Sequence, residues 1–334
     1  MVPSNTRRRF IAAGIGSLAG GAMALTHPVF ASAMSSALPT EASRLPPSPF
    51  RISVITDEIS QDFDHACQVA SQQFGMSWVE IRALWKKNII NLDENEIAEA
   101  TRILKKHNLQ VTDIASPLFK TDWAGAPKSK LSERDQFNAN FSYAEQDSVL
   151  DRSIELARKF ATDRIRCFDF WRLENQAPYR KAINEALHKA AEKVGKAGLV
   201  LLLENEYACN TATGAEAAKT LAGVPSPHFM LNWDPGNAAK RGEIPYPGGY
   251  NLLPKNRIGH CHVKDVARVG NDYEWADMGK GIVDWSGQFA ALKRDGYRHA
   301  VSLETHWDGA GTPEASSVEC WRGMRAALEK AVAL

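Results

Sequence analysis

Glu204, Asp234, His262 and Glu304 are separated by 30, 28 and 42 residues, and each stands at the end of an apolar run. One donor from each of four neighbouring strands can converge on a single point. Three carboxylates and one imidazole make a hard, oxygen-rich donor set that carries three negative charges. Such a set suits Mn²⁺, Mg²⁺ or Co²⁺ better than a thiolate-type zinc site. Any one of these acids alone reads as a cap on the following helix, whereas four in register point to a metal. Two of them are glutamates. Carboxylates on opposite sides of a carbon next to a carbonyl could remove and return its proton, while a divalent ion steadies the enediolate.

The stretch Arg257-Ile-Gly-His-Cys-His-Val-Lys-Asp265 carries the imidazole. Side chains alternate faces along a strand, so Ile258, His260, His262 and Lys264 share one face. Ionisable groups climbing one face of an apolar strand are costly to bury unless they serve something. His260 and Lys264 could hold or protonate a substrate oxygen. For Lys264 an ion pair with a neighbouring strand-end carboxylate is an equal expectation.

The positioning elements read as eight β-α units. Strands are expected at 51–55, 78–82, 109–115, 163–170, 199–203, 228–233, 257–265 and 299–303. Helices are expected at 62–74, 94–107, 140–160, 179–197, 213–222, 284–294 and 314–331. The unbroken run Leu199-Val-Leu-Leu-Leu203 is what a strand covered on both faces requires. Residues 267–282 read as a loop that lengthens the last spacing. Eight units in a linker-free chain predict an α/β (β/α)8 TIM barrel, with its site at the carboxyl ends of the strands. An open doubly wound sheet is disfavoured, because no Gly-rich phosphate turn follows the first strand. The turn Thr56-Asp-Glu58 reads as a helix cap. Trp85, Trp171, Trp233 and Trp307 fall near strand ends and read mainly as packing.

The start of the chain reads as an export signal. Thr6-Arg-Arg-Arg-Phe-Ile11 is basic, Ala12 to Leu25 is small and apolar, and Ala31-Ser-Ala33 offers a cleavage site. Residues 1–33 therefore resemble a twin-arginine (Tat) signal peptide, which implies the Tat export machinery as a partner and a periplasmic or secreted product. Residues 34–49, rich in Ser, Ala and Pro, read as a flexible linker, and 50–334 as the barrel. No membrane anchor is expected after cleavage. Losing residues 1–33 removes three Arg and no acids, taking the formal charge from +1 to −2. A near-neutral chain disfavours nucleic acid as a partner. Five scattered cysteines form no framework, and read mostly as small buried groups. A homo-oligomer is left open.

The segments LLLENE, NWDPGN, GHCHVKD and SLETHW together resemble the sugar isomerase and epimerase superfamily with the xylose isomerase-like TIM barrel. The resemblance covers nearly all of 50–334. It implies that Glu204, Asp234, His262 and Glu304 bind the metal, and that Glu204 and Glu304 also move the proton. It implies, too, that Glu80 and Arg82 line the sugar pocket. Two positions depart from relatives, Asn237 and Glu206, where several have His; both departures touch substrate handling. The function expected is a divalent-metal-dependent sugar isomerase or epimerase, with a small sugar as partner. The alternatives are a metal-dependent lyase or hydratase on keto-sugars or 3-keto-glycosides, resembling inosose dehydratase, and a non-catalytic exported sugar-binding barrel.

Overall fold

Eight short parallel strands wind into a ring: β1 (Arg51–Val54), β2 (Trp78–Ile81), β3 (Gln110–Leu118), β4 (Arg164–Cys167), β5 (Val200–Glu204), β6 (Phe229–Trp233), β7 (Ile258–Val263) and β8 (Ala300–Leu303). The computed structural model describes residues 44–132 and 139–334. Hydrogen bonding runs in the order β1-β8-β7-β6-β5-β4-β3-β2, and a parallel bridge between Ile55 and Glu80 brings the two ends of that order together. The predicted (β/α)8 barrel is therefore the fold. Leu201, Leu202 and Leu203 of β5 are wholly buried, as strands with apolar cover on both sides must be. The register pairs Ala300 with His260 and Ser302 with His262, which sets Glu304 beside the head of β7.

The helices that follow the strands are α1 (Phe63–Gln68), α2 (Glu94–Lys106), α3 (Gln146–Lys159), α4 (Arg180–Lys196), α5 (Gly214–Gly223), α6 (Pro235–Lys240), α7 (Trp285–Arg294) and α8 (Pro313–Lys330). Their starts follow local chemistry. Asp93 with Glu96, and Thr213 with Glu216, form reciprocal capping boxes. α1 was expected to run to residue 74; it widens instead into a π turn over Val69–Gln73. The helix expected over 140–160 begins later, after a 3-10 turn at Tyr143–Glu145.

Among the elements not anticipated, two bear on the site. Residues 267–282, read as a loop, contain part of a β-hairpin, Asp265–Val269 against Asp272–Ala276. Its base is fixed by the Asp265 carboxylate, which accepts N–H bonds from Val266, Gly279, Gly281 and Val283. The short helix α6 is the second. Pro235 opens it and Asp234 caps it, accepting the Asn237 N–H at 2.8 Å. Gly236 lets α6 approach β7 closely, since a Cβ there would lie 2.7 Å from Cγ of Lys264.

The expected signal, 1–33, and the expected linker as far as residue 43 lie outside the described residues. Residues 44–49 lie against the barrel: the Leu45 N–H reaches Gly75 at 3.5 Å and the Ser48 hydroxyl donates to the Ala333 carbonyl at 2.6 Å. All five cysteines are buried and unpaired. Among the described residues, no helix is long and apolar enough to cross a membrane.

Candidate active site

Strand geometry delivers the four residues singled out by spacing to one point. Donor atoms of Glu204, Asp234, His262 and Glu304 all lie within 4.8 Å of one another, and all four residues are buried. His262 Nδ1 stands 3.1 Å from Glu304, 3.5 Å from Glu204 and 3.8 Å from Asp234. Asp234 serves twice, capping α6 through Oδ1 while Oδ2 faces the cluster. Asn205 fixes its backbone, since the Asp234 N–H donates to Asn205 Oδ1 at 2.8 Å.

So many buried acids cannot sit together uncompensated. Lys264 bonds Glu304 at 2.6 Å and Asp234 at 2.8 Å. Arg166 lies 3.2 Å from Glu204, and Arg82 donates to Glu304 at 3.0 Å. Arg82 is itself held by Asp57 and Glu58. The turn 56–58 thus anchors an arginine rather than capping a helix.

Burial alone would raise Glu304. The charges of Lys264, His262 and His306 outweigh it and hold the carboxyl well below the usual range. Glu204 is likewise lowered despite burial, by His262 and Arg166. Asp234 carries the mutual repulsion: burial pushes it up to about 6, Lys264 opposes, and Glu204 and Glu304 add to the rise. Burial would lower His262, but Glu80, Glu304 and Glu204 drive it well above the ordinary imidazole range.

The chemistry of the donors fits a divalent cation. His262 Nδ1 is a buried polar atom without a hydrogen-bond partner, and it belongs to the cluster. An imidazole nitrogen facing three carboxylates requires either a proton or a metal ion between them. Three oxygen donors and one nitrogen favour an ion of the Mn²⁺, Mg²⁺ or Co²⁺ class.

Above the cluster opens a cavity of about 500 Å³ whose lining includes Glu204, Glu304, Arg82, Glu206, Lys120, Arg166, Phe168, Tyr207, Trp275 and His306. Of the four clustered residues, the two glutamates line it, whereas Asp234 and His262 sit beneath. Arg82 and Glu206 line the cavity. Asn237 does not reach it. Its side-chain N–H₂ holds Asp234, Glu204 and Glu206 at 3.0, 3.2 and 3.4 Å. Lys264 shows the ion pair rather than an open approach. Glu80 and His260, expected to touch substrate, are wholly buried in the barrel interior. They hydrogen-bond one another at 3.1 Å, out of the cavity lining.

Several lining residues went unrecognised in the sequence. Arg166 alternates with Arg164 in β4 as His262 does with His260 in β7, so the same period-two signal was present. Trp275 arrives on the unanticipated hairpin and stacks on His306, with centroids 4.9 Å apart. None of Trp85, Trp171, Trp233 and Trp307 is in the lining.

A family model described as the xylose isomerase-like TIM barrel matches residues 69–327. The chain belongs to that family. An Escherichia coli protein named as an L-ribulose-5-phosphate 3-epimerase is 22% identical over 274 residues, spanning 77% of this chain and 93% of its own. Among solved structures of this fold, a Bacillus anthracis protein described as a probable 3-DHS dehydratase superposes with a TM-score of 0.63 at 17% identity. That match covers 83% of this chain and 98% of the other. A Mycobacterium smegmatis xylose isomerase-like TIM barrel protein, solved in complex with magnesium, gives 0.60 at 14% identity, covering 85% and 96%. Within the xylose isomerase-like barrel, then, relatives are named for epimerisation and for dehydration, and both are changes that proton abstraction beside a carbonyl can begin.

Proposed function

We propose that this xylose isomerase-like barrel is a divalent-metal-dependent sugar epimerase or isomerase. The observation that carries the reading is the division of the cluster: Glu204 and Glu304 line the cavity while Asp234 and His262 lie under it. Only the two glutamates can both hold a cation and touch a substrate carbon. When bound, the ion supplies positive charge where negative charge develops on the oxygens of a deprotonated hydroxy-ketone.

The chain's own residues do the rest. One glutamate takes the C–H proton beside the carbonyl, and the electron pair moves onto the carbonyl oxygen. The other, carrying a proton at that point, gives it to the same carbon from its opposite face, making an epimer, or to the former carbonyl carbon while the neighbouring hydroxyl proton passes to the former carbonyl oxygen, making the isomer. Arg82 holds Glu304 in place. Trp275 and Phe168 offer aromatic faces to the ring or chain of the sugar, and Glu206 accepts from its hydroxyls. Lys264 offsets the charge of Glu304 and Asp234 beneath the cavity.

A second reading follows from His306. Its ring lines the cavity with Nε2 3.3 Å from Glu304. A protonated imidazole there could hand its proton to a leaving oxygen, which would make the same deprotonation the start of a lyase or dehydratase reaction. An exported location belongs to the proposal as well, on the paired arginines of residues 7–9.

The test is to incubate the Mn²⁺-loaded protein with a panel of ketoses and 3-keto-glycosides in D₂O. Deuterium beside the carbonyl in an epimer or aldose supports isomerisation, and a dehydrated or cleaved sugar supports the second reading. A protein that binds these sugars without exchanging any C–H would be a binding barrel, and the proposal would fall.

A further inference from the structure

Glu80, His260 and His262 form a connected polar group in the middle of the barrel, and each of the three is wholly buried. The Glu80 carboxylate lies 2.9 and 3.2 Å from His262 Nε2 through its two oxygens. Its Oε2 is also 3.1 Å from His260 Nε2. On the far side of His260, Asp113 stands 3.6 Å from Nδ1. Burying an acid and two imidazoles at the centre of a barrel costs stability unless each has a partner. Here they partner one another, and His262 leads out of the group into the acid cluster above.

A carboxylate is an acceptor only. At these distances both imidazoles must present N–H to Glu80 through Nε2. Asn232 competes for the same ring nitrogen, with its amide nitrogen 3.1 Å from His262 Nε2. Glu80 prevails on two grounds. An Nε2 lone pair would be held 2.9 Å from a charged oxygen, and an ionised acceptor binds an N–H roughly twice as strongly as a neutral one. Asn232 Oδ1 lacks any partner, so turning that amide over would let it accept from the same N–H. With Nε2 protonated in a neutral ring, Nδ1 keeps its lone pair. Nδ1 is the atom without a hydrogen-bond partner that faces Glu304, Glu204 and Asp234.

We infer that Glu80 is a positioning residue that fixes His262 in the Nε2–H tautomer, with Nδ1 aimed at the cation position, and that His260 clamps the Glu80 carboxylate from below. The inference rests on the metal-binding reading above. It gives the buried trio a task, since a carboxylate on the far nitrogen both orients a ligand imidazole and makes it more basic. The trio itself has three donors within 4.8 Å of one another, so an ion bound there instead would be the competing outcome.

Two measurements decide. First, Mn²⁺ is titrated into the wild type, Glu80→Gln and His260→Gln, following free Mn²⁺ by electron paramagnetic resonance. Glu80→Gln keeps the size and an acceptor oxygen but loses the charge. It should weaken binding by about 10- to 100-fold, with His260→Gln falling between it and the wild type. Equal affinity in Glu80→Gln and the wild type overturns the inference while leaving the metal reading intact. No Mn²⁺ binding by the wild type overturns both. Second, ¹⁵N-histidine-labelled wild type loaded with Mg²⁺ should show His262 protonated at Nε2 and bare at Nδ1. The opposite tautomer, or Mg²⁺ perturbing Nε2 of both histidines together, overturns it. The second measurement stands even if Glu80→Gln does not fold.

Discussion

Lys264→Met removes one charge from the centre of the site at little change in volume. The ammonium is almost fully buried and bonds Glu304 at 2.6 Å and Asp234 at 2.8 Å. Both partners are buried, so the variant leaves two carboxylates facing His262 without their lysine. Breaking a buried ion pair by deleting one partner costs about 3–5 kcal/mol. At about 2.1 cal/mol/K of unfolding entropy per residue, a barrel spanning residues 50–334 shifts by roughly 1.7 °C per kcal/mol, so the metal-free variant should melt about 5–8 °C below the wild type. A divalent ion takes over the lost charge. Mn²⁺ should therefore raise the melting temperature of Lys264→Met more than that of the wild type, and at 100 times Kd binding alone contributes about 2.7 kcal/mol. Scanning calorimetry with EDTA and with Mn²⁺ measures both effects. A metal-free variant as stable as the wild type would refute the charge accounting at the site, and equal stabilisation by Mn²⁺ in both proteins would refute the overlap of lysine and cation.

Three further outcomes are expected. Glu204→Gln and Glu304→Gln should retain some metal, since an amide oxygen still coordinates, yet each should lose about 10²- to 10⁴-fold in kcat because an amide accepts no proton; full activity in either would remove it from the proton transfer. His299 accepts from Arg164 at 2.9 Å, and burial together with Arg164 and Arg51 lowers it from 6.5 to about 4. The unfolded chain thus takes up this proton first, so the stability from a neutral His299 is present above pH 6.5 and is lost as the pH falls through 4. His299→Asn should accordingly lose less stability than the wild type between those values in urea titrations, and parallel losses would contradict the assignment. Replacing Arg7, Arg8 and Arg9 with Lys should leave the protein in the cytoplasm, because the guanidinium pair rather than charge alone is read; normal export, followed by cell fractionation, would show a signal of another kind.

Much of the barrel was legible because short apolar runs such as Leu199–Leu203 alternate with helical stretches, and the acids at the strand ends recur once per β-α unit. The level of the acid cluster was legible for the same reason: Glu204, Asp234, His262 and Glu304 each end a strand or sit close to its end. Depth along the barrel axis was harder to read. Glu80 and His260 share a face with residues that reach the site, but His260 lies one strand repeat below His262, about 6.6 Å lower. Face alternation picked out His260, and the family resemblance Glu80, but both side chains are wholly buried outside the cavity lining. The hairpin was missed because its strands, Asp265–Val269 and Asp272–Ala276, carry mixed polar and apolar residues over a partly exposed ribbon. With it went Trp275. Helix α6 was missed because it is short and begins Pro-Gly-Asn, residues that otherwise signal a turn.

Crystals soaked in Mn²⁺ and measured at a wavelength where manganese scatters anomalously test the central claim most directly. One anomalous peak should appear per chain, about 2.0–2.3 Å from a carboxylate oxygen of Glu204, Asp234 and Glu304 and from His262 Nδ1, distances usual for such ligands. A peak among Glu80, His260 and His262, or no peak within reach of the four residues, would contradict it.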